Sequence, residues 1–375
     1  MSTIAIIGAG IGGLTAAALL QRRGHDVHVY EQAKQFARVG AGIQQSANAM
    51  RVLRAIGLEE RLRSIAFQPA SWNNREWDTG TVKYELPLGE VFEQRYGAPY
   101  LLLHRGDLHA ALFSAVDPAR VHLDMQLTGL ESLPDGVNLR FANGHECRAD
   151  AVIGADGVHS LIREWMLGRE EPRFTGRVAY RTTFKASLLG GYAIDDCTKW
   201  WGPDRHIVIY YITPNRDEVY FVTSLPEPEW RNESWSARGD LGQLRAAFAG
   251  FHPQVQAVLE ACPEVYKWAL YERDPLPQWS KGRVALLGDA CHPMVPYMAQ
   301  GAATAIEDAA VLARCLDEAG EAAIPRAFQR FEATRKARAS EIQLTSHRNQ
   351  WMSKPTAADW VYGYDAWTMP LADVA

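Results

Sequence analysis

IAIIGAGIGGLTAAALL, residues 4–20, sets an apolar run against four glycines. Ile4-Ala5-Ile6-Ile7 reads as a short buried strand, and Leu14 through Arg23 has helical composition with Gly24 as its stop. Between them, Gly8-Ala9-Gly10-Ile11-Gly12-Gly13 is G-x-G-x-x-G. In such a turn Gly8 permits the tight bend and Gly10 lets the backbone approach a pyrophosphate. Gly13 lets the helix lie close to the strand, with its first N–H groups facing the phosphates. Asp26-Val27-His28-Val29-Tyr30 reads as a second strand and delivers Glu31, 18 residues beyond Gly13. That is close to the spacing expected for an acid that accepts from ribose hydroxyls, and a carboxylate there disfavours a 2′-phosphate. The pattern predicts a Rossmann-like α/β domain around a dinucleotide. By itself it does not choose between NAD and FAD.

The rest of the chain is consistent with such a domain. At 375 residues it can form two linked lobes, and 47% hydrophobic with 22% charged residues is ordinary for a soluble protein. A net charge of −5 and a pI near 6.1 argue against nucleic acid or an anionic membrane as partner. The five cysteines contain no C-x-x-C pair, which predicts reduced thiols, no disulfide framework and no metal site. Residues 4–20 lack the basic segment of a signal peptide, and no other run has the apolar length of a membrane span. The reading is a cytoplasmic protein without low-complexity tracts or repeats.

Three further stretches select the cofactor by resemblance. Val152-Ile153-Gly154-Ala155-Asp156-Gly157-Val158-His159-Ser160 resembles the DG motif of flavin-dependent aromatic hydroxylases. Leu287-Gly288-Asp289-Ala290 with His292-Pro293 resembles their GD motif, and His104-Arg105-Gly106-Asp107-Leu108 resembles the arginine segment near the flavin. In this order the motifs are similar to those of the class A FAD-dependent aromatic-ring monooxygenases, across nearly the whole chain. The resemblance implies one extended, non-covalently bound FAD held by Gly8, Gly10, Gly12, Gly13, Glu31, Gln32, Gln44, Arg105, Leu127, Asp156, Asp289, Gly301 and Ala302, with NADH as a transient co-substrate. Asp289, just past a strand end, would accept from ribityl hydroxyls. The helix entered at Gln300-Gly301-Ala302 would point its positive end at the flavin pyrimidine, where negative charge gathers on reduction.

A substrate site is expected on an inserted sheet. Residues 178–186, 197–212 and 218–225 are β-rich, and in Arg205-His206-Ile207-Val208-Ile209-Tyr210-Tyr211 a period of two places His206, Val208 and Tyr210 on one face. Cys197-Thr198-Lys199-Trp200-Trp201, the His206/Tyr210 strand, Met298-Ala299-Gln300-Gly301 and Trp360-Val361-Tyr362-Gly363-Tyr364-Asp365 resemble 6-hydroxynicotinate 3-monooxygenases. That resemblance implies a pocket of Cys197, His206, Tyr210, Gln44, Tyr297 and Met298, with Tyr210 or His206 on the proton path. Gln44, within Gly40-Ala41-Gly42-Ile43-Gln44, and Tyr297 depart from it, because histidine stands at both positions in that subfamily. Glutamine at the first is common in salicylate- and hydroxybenzoate-type hydroxylases.

The expected organisation is a discontinuous FAD-binding domain (1–70, 100–177 and 275–345), glutathione-reductase-like. A mostly antiparallel β-sheet substrate domain (71–99 and 178–274) and an aromatic-rich segment packing on the core (346–375) complete it. The expected reaction is NADH- and O2-dependent hydroxylation through a C4a-hydroperoxyflavin, converting 6-hydroxynicotinate to 2,5-dihydroxypyridine with loss of CO2. Alternatives are a salicylate- or hydroxybenzoate-type hydroxylase and, more distantly, an NAD-dependent dehydrogenase or a non-catalytic flavoprotein. A monomer or homodimer fits equally.

Overall fold

A computed structural model describes residues 2–38, 41–232, 237–317 and 323–374. Gly40, within one of the quoted motifs, lies outside them. The first strand, Thr3–Ile7, is central, with Ile4, Ala5 and Ile6 almost wholly buried. It pairs in parallel with Asp26–Tyr30 on one side and Ala151–Gly154 on the other. Val121–His122 and Val284–Leu286 extend the sheet in parallel at the two flanks, and Ser280–Lys281 closes one edge antiparallel. Flanking strands thus leave the first strand in opposite directions, and the crevice beyond its C-terminal end is where ligands bind in such sheets.

The helix Ile11–Arg22 starts three residues before the sequence reading places it, because Gly10 is its extended N-cap and Ile11 already packs inward. A three-stranded meander, Leu127–Leu133, Gly136–Phe141 and Glu146–Ala149, lies outside this layer.

The second large sheet runs in the order Tyr266–Glu272, Arg173–Lys185, Glu218–Pro226, His206–Tyr211, Cys197–Trp201, Ser71–Glu76, Val82–Pro87. All its pairings are antiparallel except that of Cys197–Trp201 with Ser71–Glu76. A short ribbon, Gly42–Gln45 with Leu101–His104, brings Gln44 towards this sheet. One apolar cluster runs through both layers, and a small separate one, Ala179, Leu270, Val295 and Tyr297, fastens the second sheet to the segment after the GD turn.

Two long helices, Gly301–Asp317 and Ile324–His347, close the first layer. Their contact carries a buried ion network. Arg335 bonds Asp308 (2.8 Å) and pairs with Glu307 (2.7 Å), while Arg338 holds the other oxygen of Glu307 at 2.8 Å. The C-terminal aromatic stretch is tied down by arginines rather than left free. Arg51 donates to the carbonyls of Tyr362 and Tyr364, Arg338 to those of Trp360 and Val361, and Arg314 to those of Ala366 and Met369. Trp351 and Tyr362 are buried there. No helix among the described residues is long and apolar enough to cross a membrane.

Candidate active site

The glycine turn has three distinct local requirements. Gly8 has φ +103°, and a Cβ there would lie 2.3 Å from the carbonyl oxygen of Ala155. A Cβ on Gly13 would lie 2.0 Å from the carbonyl oxygen of Gly8, so the helix can approach the strand only without one. Gly10 differs. It has an ordinary φ of −73°, and a Cβ on it would meet no protein atom within 4 Å, because the space above it is a cavity of about 360 Å³. Glu31 braces this turn, accepting from the N–H of Ala9 (2.8 Å) and of Ala33 (2.9 Å). Each carboxylate oxygen keeps a second lone pair for a further donor.

The same cavity passes the GD turn. Val284–Leu286 ends there and Gly288–Ala290 makes one tight helical turn. The buried Asp308 holds that turn, accepting from the Gly288 N–H (3.3 Å) and from His292 Nε2 (2.5 Å). Burial alone would raise the Asp308 carboxyl, but His292 and Arg335 keep it below the usual range, hence ionised.

Asp289 is accessible from the cavity but ringed by protein. That desolvation, partly offset by His292 and Arg105, holds its carboxyl above the usual range. Arg105 also lines the cavity, its guanidinium lowered by burial against the pull of Asp289. Among the described residues neither side chain has a hydrogen-bond partner, so two polar groups face the cavity with capacity to spare.

The 17-residue helix Gly301–Asp317 begins at the cavity wall after Ala299, which sits at φ 55°. Its entry is anchored by Gln300, which donates to Ser46 Oγ and accepts from Asn48, itself bonded to Glu307. The first N–H groups of the helix have no partner within it and open on the cavity at Gly301 and Ala302. An open cradle above Gly10, unpartnered Asp289 and Arg105, and a helix N-terminus on one continuous cavity fit the pyrophosphate, ribityl chain and pyrimidine of FAD in turn.

The second sheet forms the opposite wall. His206, Val208 and Tyr210 line the cavity from one strand, as the period of two requires, and Tyr220 and Val222 continue from its neighbour. Gln44 accepts from the Tyr100 hydroxyl and lies against Tyr210. Burial holds the Tyr210 phenol well above its usual range and pushes His206 well below, with Lys199 and Arg177 adding to the latter. At neutral pH one is therefore a neutral phenol and the other a neutral imidazole. Tyr297 packs edge-on to His206 at 5.4 Å and exchanges a 2.8 Å hydrogen bond with Ser224, which also accepts from Arg177.

The cavity brings together Gly10, Gly12, Gly13, Gln44, Arg105, His206, Tyr210, Asp289, Tyr297, Gly301 and Ala302. It does not bring in Cys197 or Met298, both fully buried, nor Gly8, Glu31, Gln32, Leu127 or Asp156. Asp156 is occupied internally, accepting from Ser160 Oγ (2.6 Å) and the Ile162 N–H (3.2 Å) at the start of the next helix. Sequence reasoning missed two cations on the wall, Lys199 and Arg181. Lys199 shares its strand face with Trp201, and Arg181 stands across from the cavity residue Val222 on the neighbouring strand.

The geometry defines a flavin-type oxidoreductase site. A family model described as "FAD binding domain" matches residues 1–345, and the chain belongs to that family, among the class A FAD-dependent monooxygenases. Among its relatives, the 6-hydroxynicotinate 3-monooxygenase of Bordetella bronchiseptica is 47% identical over 372 residues, covering 99% of this chain and 97% of that one. The 6-hydroxynicotinate 3-monooxygenase of Pseudomonas fluorescens is 47% identical over 376 residues, with the same coverage. The crystal structure of Klebsiella pneumoniae HpxO complexed with FAD and uric acid superposes with a TM-score of 0.82 at 27% identity, covering 93% of this chain and 87% of that one.

Proposed function

We propose that this enzyme hydroxylates a hydroxylated N-heteroaromatic carboxylate, with 6-hydroxynicotinate as substrate and NADH and O2 as co-substrates. One oxygen atom enters the ring at the carbon that bears the carboxyl, which departs as CO2. The other oxygen atom leaves as water, and 2,5-dihydroxypyridine results. The observation that carries the reading is the continuity of one cavity from the glycine turn and Asp289 to the His206/Tyr210 face. Similarity to two 6-hydroxynicotinate 3-monooxygenases over the whole chain supports the choice of substrate.

Bound FAD supplies the redox chemistry, accepting hydride and activating oxygen. The protein's part is to hold the ring, to keep water out and to manage the proton of the ring hydroxyl. Tyr210, kept as a phenol, or the neutral His206 imidazole is assigned to hydrogen-bond that hydroxyl and begin its proton path. Val208, Val222, Trp72 and Trp268 give the wall an apolar and aromatic part, which suits a flat ring and excludes bulk water. Gly10, Gly13, Arg105, Asp289 and the Gly301–Ala302 helix start are the assigned cofactor contacts.

The test is turnover of purified, FAD-loaded protein with NADH and 6-hydroxynicotinate, with the product identified by mass spectrometry. Formation of 2,5-dihydroxypyridine with one CO2 per NADH is the expected result. NADH consumption that yields only hydrogen peroxide refutes the substrate, and turnover of salicylate or 3-hydroxybenzoate instead would move the enzyme to the hydroxybenzoate type.

A further inference from the structure

Lys199 lies in the strand Cys197–Trp201 and lines the cavity beside His206. It is 1% exposed, yet among the described residues its ammonium has no hydrogen-bond acceptor and no carboxylate partner. What it has is the face of Trp201, whose ring centroid is 3.8 Å from Nζ, and that indole is fixed by its bond to Asn74 at 2.9 Å. Other deeply buried cations in this protein are treated differently. Lys267, 4% exposed, is paired with Glu227, and Arg335 lies between Glu307 and Asp308. A buried cation without a counter-charge is costly, and the cost is relieved when an anion enters beside it. Of the other cavity cations, Arg105 has Asp289 as a nearby counter-charge without a hydrogen bond between them, and Arg181, like Lys199, lies over an indole, its guanidinium 4.1 Å from the Trp268 ring centroid.

We propose that Lys199 selects the anionic form of the substrate, its ammonium pairing with the ring carboxylate so that the acid is bound in preference to neutral analogues. This rests on the reading of the cavity as an aromatic-acid site. The ionisable groups sharing the cavity with it are His206, Tyr210, Tyr220, Arg181, Tyr297, Arg105 and Asp289. Of these only Asp289 can carry a negative charge near neutral pH, and it is set against Arg105. Desolvation lowers Lys199 to about 7, and a carboxylate beside it favours the ammonium form, so binding above neutrality takes up a proton from solvent.

The experiment titrates oxidised holoenzyme with 6-hydroxynicotinate and 6-hydroxynicotinamide, and with salicylate and 3-hydroxybenzoate beside their amides, reading the flavin absorbance change. Wild type should bind the preferred acid about 100-fold more tightly than its amide. Lys199→Met should abolish that ratio by weakening the acid alone, and Lys199→Arg should restore part of it, all at unchanged FAD content. If Lys199→Met keeps the preference, or weakens acid and amide equally, the role of Lys199 is overturned while the functional reading stands. If wild type prefers no acid of the panel, both are overturned. Calorimetry on wild type at pH 8 in two buffers of different ionisation heat gives a second readout that needs no variant. Greater proton uptake with the acid than with the amide is expected, and greater uptake with the amide overturns the proposal.

Discussion

Gly10 and Gly13 sit in one motif but are constrained by different neighbours, and two alanine substitutions separate them. In Gly13→Ala the new Cβ would lie 2.0 Å from the Gly8 carbonyl oxygen, a backbone atom that cannot rotate away. Relieving that clash requires the helix Ile11–Arg22 to move off the central strand, an overpacking cost of about 1–3 kcal/mol whether or not cofactor is bound. For a chain of this length that corresponds to roughly 1–4 °C in the unfolding midpoint.

In Gly10→Ala the Cβ meets only the cavity, and the backbone angles suit alanine. The apoprotein should therefore keep its midpoint or gain slightly, since alanine has fewer unfolded conformations to lose. With the pyrophosphate over Gly10 as proposed, the methyl group would instead take the place of a phosphate oxygen. Losing one charge-assisted backbone hydrogen bond there costs about 1.5–3 kcal/mol, roughly 10- to 150-fold in the FAD dissociation constant. The assays are circular dichroism melting of both apoproteins and titration of each with FAD, followed by flavin fluorescence. Wild-type FAD affinity in Gly10→Ala would refute the placement of the pyrophosphate over Gly10. A melting loss in that variant equal to that of Gly13→Ala would refute the separation of roles.

Two further outcomes follow from the buried charges. Arg335→Met leaves Glu307 with Arg338 and Asp308 with His292 but removes the cation shared between them, so a loss of about 3 kcal/mol is expected, near 4 °C in the melting midpoint; a shift below 1 °C would show that the network is not held by Arg335. Lys199, lowered to about 7 in the fold by desolvation and near 10.4 when unfolded, binds more protons in the unfolded state between those values. Stability of substrate-free wild type relative to Lys199→Met should therefore rise with pH from 7 to 9, by up to about 1.4 kcal/mol per pH unit, and a flat difference profile from melting at several pH values would refute the shift.

What could be read along the chain was whatever a few consecutive residues impose on themselves. A strand, three glycines with separate duties and an acid 18 residues further on form one local unit, because a positive φ at Gly8 and the close contact at Gly13 are satisfied within the turn and the strand ends beside it. The alternation that puts His206, Val208 and Tyr210 on one wall is likewise a property of a single strand. Lys199 and the Glu307/Asp308/Arg335/Arg338 network had no such local signature. Whether a lysine before two tryptophans is paired, and whether Asp308 faces Arg335 and the GD turn, depends on strand register and helix packing between residues far apart in the chain. Cys197 shares the strand and the strand face of Lys199 but is fully buried and outside the cavity lining, since the cavity's outline is drawn by both lobes together. The sequence by itself determined the nucleotide turn, the motif order and the face of the substrate strand, because backbone geometry acts over a few residues. The tertiary structure decided which charges are left unpaired at the cavity, because only the packed fold sets which neighbours each buried group has.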